Sequence, residues 1–363
     1  MSPAAASAAG VLETPAQPFA WTRLLPGLAL MAGVGWLGKL AEQGLAAFAK
    51  ARHLRLPNVE YVLWAILIGL VLANTVRLPR VFQAGIATCD FWLKVGIVLL
   101  GARFALGDVL QLGGISLALV VVEIAGSLAL MLWLARRFGL EPKLASLLAV
   151  GTAVCGVAAI IAAQGSIDGE DEDAAIAIAA ILALGAVALF AFPAIGHALH
   201  LSDRSFGVWS GLAVDNTAES VAAGAIFSET AGKLAVLVKS TRNAMIGFVV
   251  LGFALYWHRR GQARAVGSKT AFLAARFPRF VLGFLALSAL TSLHAFNRGQ
   301  ALVLGNLSRW AFLLTFAGVG LRTDLRGMFK NKFRPLVVGA LGEVLIALLT
   351  LGLVVAANAV WRL

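Results

Sequence analysis

The chain has 363 residues, of which 60% are hydrophobic and only 13% are charged. A soluble globular protein usually has about 25% charged residues, so this composition excludes that class and indicates a multi-pass membrane protein. The formal net charge is +12. We do not expect a nucleic-acid partner, because the basic residues lie in short stretches between apolar runs and no basic soluble module is present.

The first twenty residues lack a basic segment ahead of an apolar core, so they do not resemble a signal peptide. We expect residues 1–20 to be a disordered tail and residues 21–363 to form a single transmembrane domain. A bilayer is crossed by roughly 17–25 apolar residues in a helix. About eleven segments fit this pattern: 22–40, 60–76, 88–104, 113–135, 143–164, 172–193, 206–228, 234–257, 278–295, 307–321 and 335–359. The predicted fold is an all-α integral membrane protein with about 10–11 transmembrane helices. The first segment ends in an amphipathic stretch that would also suit the membrane surface.

Lysine and arginine in the loops predict the orientation. Four basic loops, near residues 77–80, 136–143, 259–279 and 322–334, fall on one side if there are eleven crossings. We assign that side to the cytoplasm of a bacterium, which places the protein in the inner membrane with its N-terminus inside. The basic residues at 50–55 disagree with this assignment. The acidic run 168–173 falls outside in this topology and is typical of a helix N-terminus, with a pore mouth as the alternative.

The segment "GLAVDNTAESVAAG", residues 211–224, places four polar side chains inside an apolar run: Asp215, Asn216, Thr217 and Glu219. Carboxylates away from water are costly unless they pair, take up a proton or contact water. A broken helix that faces an aqueous cavity would satisfy them, because its unwound turn exposes backbone N–H and C=O groups. We therefore predict that these four residues bind a substrate.

The segment "GTAVCGVAAIIAA", residues 151–163, combines small residues with Gly151, Thr152, Cys155 and Gly156 near mid-span. Such a sequence allows either tight helix packing or a second helix break. The candidate substrate site includes these four residues on the second interpretation.

Other ionisable residues also lie in apolar runs. Glu123 and Glu343 are either proton carriers or buried partners of basic residues, namely Arg103, Arg322 or Lys94. Lys239 and Arg242 either snorkel to the membrane surface or supply cations to an oxyanion in the site. The two cysteines and five histidines show no metal-ligand spacing, so neither a metal nor a cofactor is expected.

Two internal similarities are compatible with a duplication, although Ala-rich spans also match by chance. "GARFAL" (101–106) resembles "GLRTDL" (320–325), with Glu123 and Glu343 at similar distances beyond them, while 151–163 resembles 211–223. The two pairs have different separations, so one simple duplication does not explain both.

The chain as a whole resembles the YeiH-type family of bacterial membrane proteins, for which sulfate export has been suggested. The matching blocks, in order, are "LPGLAL", "ILIGLVLANTVRLP", "KVGIVLLGARFAL", "VGTAVCGVAAIIAA", "WSGLAVDNTAESVAAG", "VLVKSTRNAMIG" and "GVGLRTDLRGM". The resemblance implies a fold like that of cation–proton antiporters and bile-acid symporters, with inverted repeats, two crossing discontinuous helices and often a homodimer. The family usually has a serine where this chain has Ala158, and a histidine and a glutamine within the block that here contains Asp215, Asn216 and Glu219. These changes make the site more acidic.

The leading functional hypothesis is therefore a secondary transporter, an exporter of a small anion such as sulfate, a related sulfur oxyanion or a sulfonate. Proton coupling is assigned to Asp215 or Glu219, with Glu123 and Glu343 as further candidates. The alternative is a cation–proton exchanger of the same fold that uses Asp215 and Glu219 as ligands. A membrane-embedded hydrolase is a remote third, because no histidine lies mid-span beside a serine or cysteine, and an enzyme is not expected.

Overall fold

A computed structural model describes residues 21–51, 61–76, 78–104, 106–265, 267–323 and 333–361; the predicted tail 1–20 lies outside this range. Within it, the regular elements are α-helices and two short 3-10 turns, so the all-α prediction is confirmed. The helices are α1 (Leu25–Ala51), α2 (Tyr61–Thr75), α3 (Arg80–Ile86), α4 (Cys89–Leu100), α5 (Leu106–Arg137), α6 (Pro142–Ala153), α7 (Val157–Ile167), α8 (Asp171–Ala198), α9 (Asp203–Ala213), α10 (Thr217–Phe227), α11 (Glu229–Ala244), α12 (Ile246–Arg259), α13 (Lys269–Arg276), α14 (Arg279–Ser292), α15 (Arg298–Arg322) and α16 (Phe333–Trp361).

Every predicted apolar segment coincides with a helix or with a pair of consecutive helices. Six helical segments of the described chain are long and apolar enough to cross a membrane, or seven if α13 and α14, bent by 68°, form one span. Helix α1 is not among them, although it packs against α2, α3 and α15 with Met31 and Val34 buried.

The pair α6–α7 is a re-entrant hairpin. The chain breaks at residues 154–156, where Gly156 has a φ of +70°, a value that suits glycine because it has no Cβ. The far end of α7 then returns to the start of α6: the Lys143 ammonium donates to the Asp168 carbonyl at 2.7 Å. Both ends of this pair therefore lie on one side of the membrane.

The pair α9–α10 is a second re-entrant hairpin. Phe206 near the start of α9 stacks on Phe227 at the end of α10, with ring centroids 4.0 Å apart. Between them, the hydroxyls of Ser210 and Ser220 each donate to the other residue's carbonyl, at 2.8 and 2.7 Å. The break at 214–216 forms the tip, and it meets the other tip, since a Cβ on Gly156 would lie 3.4 Å from the Asn216 Cα.

Because neither hairpin crosses the membrane, the predicted topology changes for the segment that lies between the two hairpins. The helix breaks fall in the two predicted segments, but each pair turns back instead of crossing. The acidic run 168–173 consequently lies on the same side as the basic loops, where the Asp168 carboxylate accepts from the Arg264 backbone N–H at 2.9 Å. The first turn of α8 contains Asp171, Glu172 and Asp173, so the helix N-terminus interpretation of this run is confirmed.

The helices form two groups with separate apolar cores. One group contains both hairpins together with α5, α8, α11, α12 and α16, and its core includes Leu147, Ile181 and Leu212. The other contains α1–α4 and α15, with Met31 and Leu321 in its core. A third apolar cluster fills the contact between the groups, where α10 packs against α2 and α15.

The packing follows an inverted repeat that is permuted in sequence. Helices α2, α4, α5, the first hairpin and α8 correspond to α14, α15, α16, the second hairpin and α11–α12. Three pairings have a counterpart: α5 packs on α6 as α16 packs on α9, α4 on α14 as α15 on α2, and α8 on α10 as α12 on α7. In the first repeat the hairpin follows α2, α4 and α5 along the chain, whereas in the second repeat the hairpin precedes α14–α16. This permuted order explains why the two sequence similarities have different separations.

Candidate functional site

The backbone carbonyls at the ends of α6 and α9 meet a fully buried guanidinium. Arg242 Nε donates to the Ala153 carbonyl at 3.0 Å and Nη1 to the Leu212 carbonyl at 2.7 Å, while Nη2 donates to the Thr152 carbonyl. The last carbonyls of a helix have no partner within the helix and carry partial negative charge. Arg242 therefore ties the first halves of both hairpins together.

Lys239, one turn earlier on α11, adds a second cation to the same place. It is 0% exposed, and its ammonium donates to the Val214 carbonyl at 2.6 Å. Full burial of Lys239 and Arg242 shows that neither side chain snorkels, contrary to that interpretation of the sequence. Both lie behind the hairpin tips and satisfy backbone groups that the breaks leave free.

Three buried carboxylates surround these cations. Glu123 Oε1 on α5 lies 3.1 Å from Arg242 Nη2 and accepts from Ser127 at 2.6 Å, so its ion partner is none of the three basic residues considered from the sequence. The carboxyl groups of Asp215 and of Glu343, on α16, interact electrostatically with each other. Three of their oxygens have no hydrogen-bond partner: Asp215 Oδ1 and both oxygens of Glu343.

On the other side of the tips is a cavity of about 910 Å³, here called the site cavity. Its inner wall contains the N-terminal turns of α7 and α10, through Cys155, Val157, Asn216 and Thr217. Helix α7 has no side-chain cap on its first N–H groups, whereas the Asn216 side chain accepts from the Ala218 N–H at 3.3 Å. Two helix N-termini therefore present partial positive charge to the cavity, an arrangement that favours an anion.

The other walls of the site cavity come from the second helix group and the loops. They contribute four cations and one carboxylate: Lys94, Arg276, Arg279, Arg322 and Asp90. Arg322 donates to Asp90 at 2.9 Å, so one of the cations is already compensated. With Glu219 added, the lining holds four cations against two carboxylates, and its formal charge is positive.

Glu219 is the acidic side chain that the hairpin tips contribute to this cavity. It is 5% exposed; its Oε1 lies 3.4 Å from the Asn216 amide nitrogen, and its Oε2 has no hydrogen-bond partner. The carboxyl group lies directly against Gly185 of α8, where a Cβ would come within 1.6 Å of Oε2. The missing side chain at residue 185 thus makes room for the Glu219 carboxyl group.

Replacing Gly185 by alanine is expected to displace this carboxyl group while the helices keep their places, because the clashing atom is the end of a flexible side chain. We expect transport by Gly185→Ala to fall by at least about tenfold, as misplacing a group by about 1 Å can have larger effects. Gly252→Ala on α12 is the control, because nothing lies within 4 Å of its added methyl group. Equal activity of both variants would contradict the placement of Glu219.

Of the ten residues predicted to bind substrate, four line the site cavity: Cys155, Asn216, Thr217 and Glu219. The other six lie in or behind the tips: Gly151, Thr152, Gly156, Asp215, Lys239 and Arg242. The structure adds Asn243, whose amide donates to the Thr217 hydroxyl at 3.1 Å, and the cavity cations. Arg276, Arg279 and Arg322 lie at helix ends and Lys94 lies within α4, and only the folded arrangement brings all four to one cavity.

Residues 26–339 match the family model described as "Conserved hypothetical protein 698". The chain belongs to this family. It is 35% identical over 319 residues to a UPF0324 membrane protein of Nitratidesulfovibrio vulgaris, covering 86% of this chain and 88% of that relative. It is 30% identical to a UPF0324 membrane protein of Agrobacterium fabrum, with 93% and 94% covered, and 32% identical to one of Bacillus cereus, with 78% and 83% covered.

The YeiH-type assignment made from the sequence blocks is consistent with this family. The relatives are named as membrane proteins, in agreement with the apolar helices of the structure. No solved structure matches the chain.

Proposed function

We propose that this protein is a secondary transporter of a small oxyanion, with sulfate, sulfite and sulfonates as the substrate class. The observation that carries the proposal is the site cavity, in which two half-helix N-termini and an excess of cations face one water-accessible space. An oxyanion accepts several hydrogen bonds, and backbone N–H groups with Asn216, Thr217 and Asn243 can supply them.

Glu219 makes the proposed transport proton-coupled. When ionised, its carboxylate repels an anion at the tips; when protonated, it donates a hydrogen bond to that anion. Its Oε2, without a partner, is free for this role. The charge balance of the buried groups supports proton uptake as well, since four carboxylates, Glu123, Asp215, Glu219 and Glu343, accompany two cations behind and at the tips.

The site cavity opens on the side of the basic loops, through residues such as Arg276 and Arg279. By the positive-inside rule we assign this side to the cytoplasm, which supports an inward-facing state in the bacterial inner membrane. Loading from the cytoplasm makes export the working direction. The start of α1, at Leu25, lies on that same side, which supports a cytoplasmic N-terminus.

Sulfate counterflow into proteoliposomes of the purified protein tests this proposal. Labelled sulfate is expected to accumulate against unlabelled internal sulfate, and sulfite and taurine should compete if the substrate class is as broad as proposed. Liposomes containing the Asn216→Asp protein are the matched control: the change keeps the side-chain shape and the capping oxygen but adds negative charge at the tips. We expect at least about tenfold lower uptake from this variant.

The alternative of a cation–proton exchanger predicts the opposite results. Sulfate would not accumulate, sodium or lithium gradients would drive proton flux, and Asn216→Asp would keep or raise activity. Two observations argue against this alternative. The lining of the site cavity has a positive formal charge, and Asp215, one of the two proposed cation ligands, lies outside that cavity.

A further inference from the structure

A second cavity, of about 370 Å³, lies at the opposite ends of the helices that line the site cavity. Helix α15 reaches the site cavity with Arg322 at its end and the second cavity with Arg309 near its middle. These residues are thirteen positions apart, which corresponds to about 20 Å along a helix. Helices α4 and α10 likewise extend from one cavity to the other, so the two cavities face opposite sides of the membrane.

Only a thin apolar layer separates the cavities. Each of the three helices has one residue that lines the site cavity and, three positions away, one residue that lines the second cavity. These pairs are Ile97 and Leu100, Ala218 and Val221, and Val319 and Phe316. Three residues span about 4.5 Å of helix, or nearly one turn. All six side chains belong to the apolar cluster between the two helix groups. The cavities are thus the two ends of one path, closed by about one helical turn.

The second cavity contains an ion cluster around a single carboxylate oxygen. Glu229 Oε1 accepts from Arg103 at 2.9 Å, from Arg309 at 2.9 Å and from Lys233 at 2.8 Å. These cations come from the turn after α4, from α15 and from α11, so the contact joins both helix groups. Three cations around one carboxylate leave a formal excess of two positive charges.

The inverted repeat gives this cluster a counterpart in the site cavity. Arg103 follows α4 in "GARFAL" as Arg322 ends α15 in "GLRTDL", and α4 corresponds to α15 in the repeat. Arg322 bonds Asp90 in one cavity, and Arg103 bonds Glu229 in the other. The basic residue that lines the oxyanion site on one side therefore has an equivalent on the other side.

We propose that the second cavity is a second oxyanion-binding station, on the far side of the apolar layer, where the Glu229 carboxylate occupies the position of the anion when the station is empty. An arriving oxyanion displaces the carboxylate and bonds Arg103, Arg309 and Lys233 in its place. This assignment deepens the proposed function and rests on it for the identity of the substrate.

The test uses the purified full chain with sulfate as the probe and thermal unfolding as the readout, so it does not require transport. Glu229→Gln removes the internal competitor, the carboxylate that Arg103, Lys233 and Arg309 share. In chloride, we expect this variant to have a lower Tm than wild type. When sulfate replaces chloride at equal ionic strength, the Tm of the variant should rise by more than the Tm of wild type does. At about ten times the Kd, the additional rise should be roughly 2 °C for a chain of this length.

Two further variants locate the sulfate-binding site that is responsible for the additional rise in Tm. Glu42→Gln removes a carboxylate that lines the same cavity outside the three-cation cluster, and it should show the wild-type response to sulfate. Adding Arg103→Gln and Arg309→Gln to Glu229→Gln should remove the additional rise. The second station is refuted if sulfate raises the Tm of Glu229→Gln no more than that of wild type. It is refuted as well if sulfate raises the Tm of the triple variant as much as that of Glu229→Gln. Such results leave the counterflow test of the site cavity unaffected, so the two failures are distinguishable.

Discussion

Replacing Arg242 by glutamine is expected to prevent the protein from folding stably. The change removes a buried cation from Glu123 and leaves carbonyls at the ends of α6 and α9 without donors. Breaking a buried ion pair by removing one partner costs about 3–5 kcal/mol, and each buried polar group left unsatisfied adds about 1–3 kcal/mol. Few proteins tolerate a loss of this size. We expect aggregated material in size-exclusion chromatography of the detergent-solubilised variant.

Arg264→Gln is the matched control, because its side chain is 93% exposed and lies 3.8 Å from Asp168. It should elute and unfold as wild type does. Arg242→Lys is a more demanding comparison: it keeps the charge but loses the planar fork that reaches three carbonyls at once, so we expect it also to be strongly destabilised. A well-folded Arg242→Gln protein that had lost only sulfate transport would contradict the structural role and would return Arg242 to the substrate site.

The second large effect is expected at Glu219. Wild-type sulfate transport should fall as the pH rises, because an ionised carboxylate at the tips repels the substrate. A rate that needs one protonated carboxyl group falls by up to about tenfold for each pH unit above its titration range. Glu219→Gln should flatten this profile, since the amide is neutral at every pH and retains a hydrogen-bond donor. The measurement is counterflow over a pH series with equal pH inside and outside the liposomes.

The Glu170→Gln variant is the control, because this exposed carboxylate at the N-terminus of α8 does not line the site cavity. Its pH profile should match that of wild type. If Glu219→Gln kept the wild-type profile, the proton would have to bind elsewhere, and the interacting pair Asp215 and Glu343 behind the tips would be the next groups to replace.

The sequence by itself determined the class of the protein and its helices, and it predicted the helix break in the segment 211–224. Long apolar runs have one stable form in a bilayer, because only a helix satisfies its own backbone there. That break was predictable because the polar residues 215–217 are costly in a continuous apolar helix, whereas the small residues of 151–163 suit tight packing as well as a break. The four tip residues that line the site cavity could be identified for the same reason: their polar groups or small size stand out against the apolar run.

Tertiary structure decided the direction in which the chain continues after each break. A crossing helix and a re-entrant hairpin bury the same apolar residues with the same helical period, so the pattern does not separate them. Contacts between residues far apart in sequence do, such as Phe206 with Phe227 and Lys143 with Asp168. The same holds for Lys239 and Arg242: the sequence places two cations one turn apart on α11, but only the fold presents to them the free carbonyls of two other helices, because hydrogen-bond partners depend on position in space.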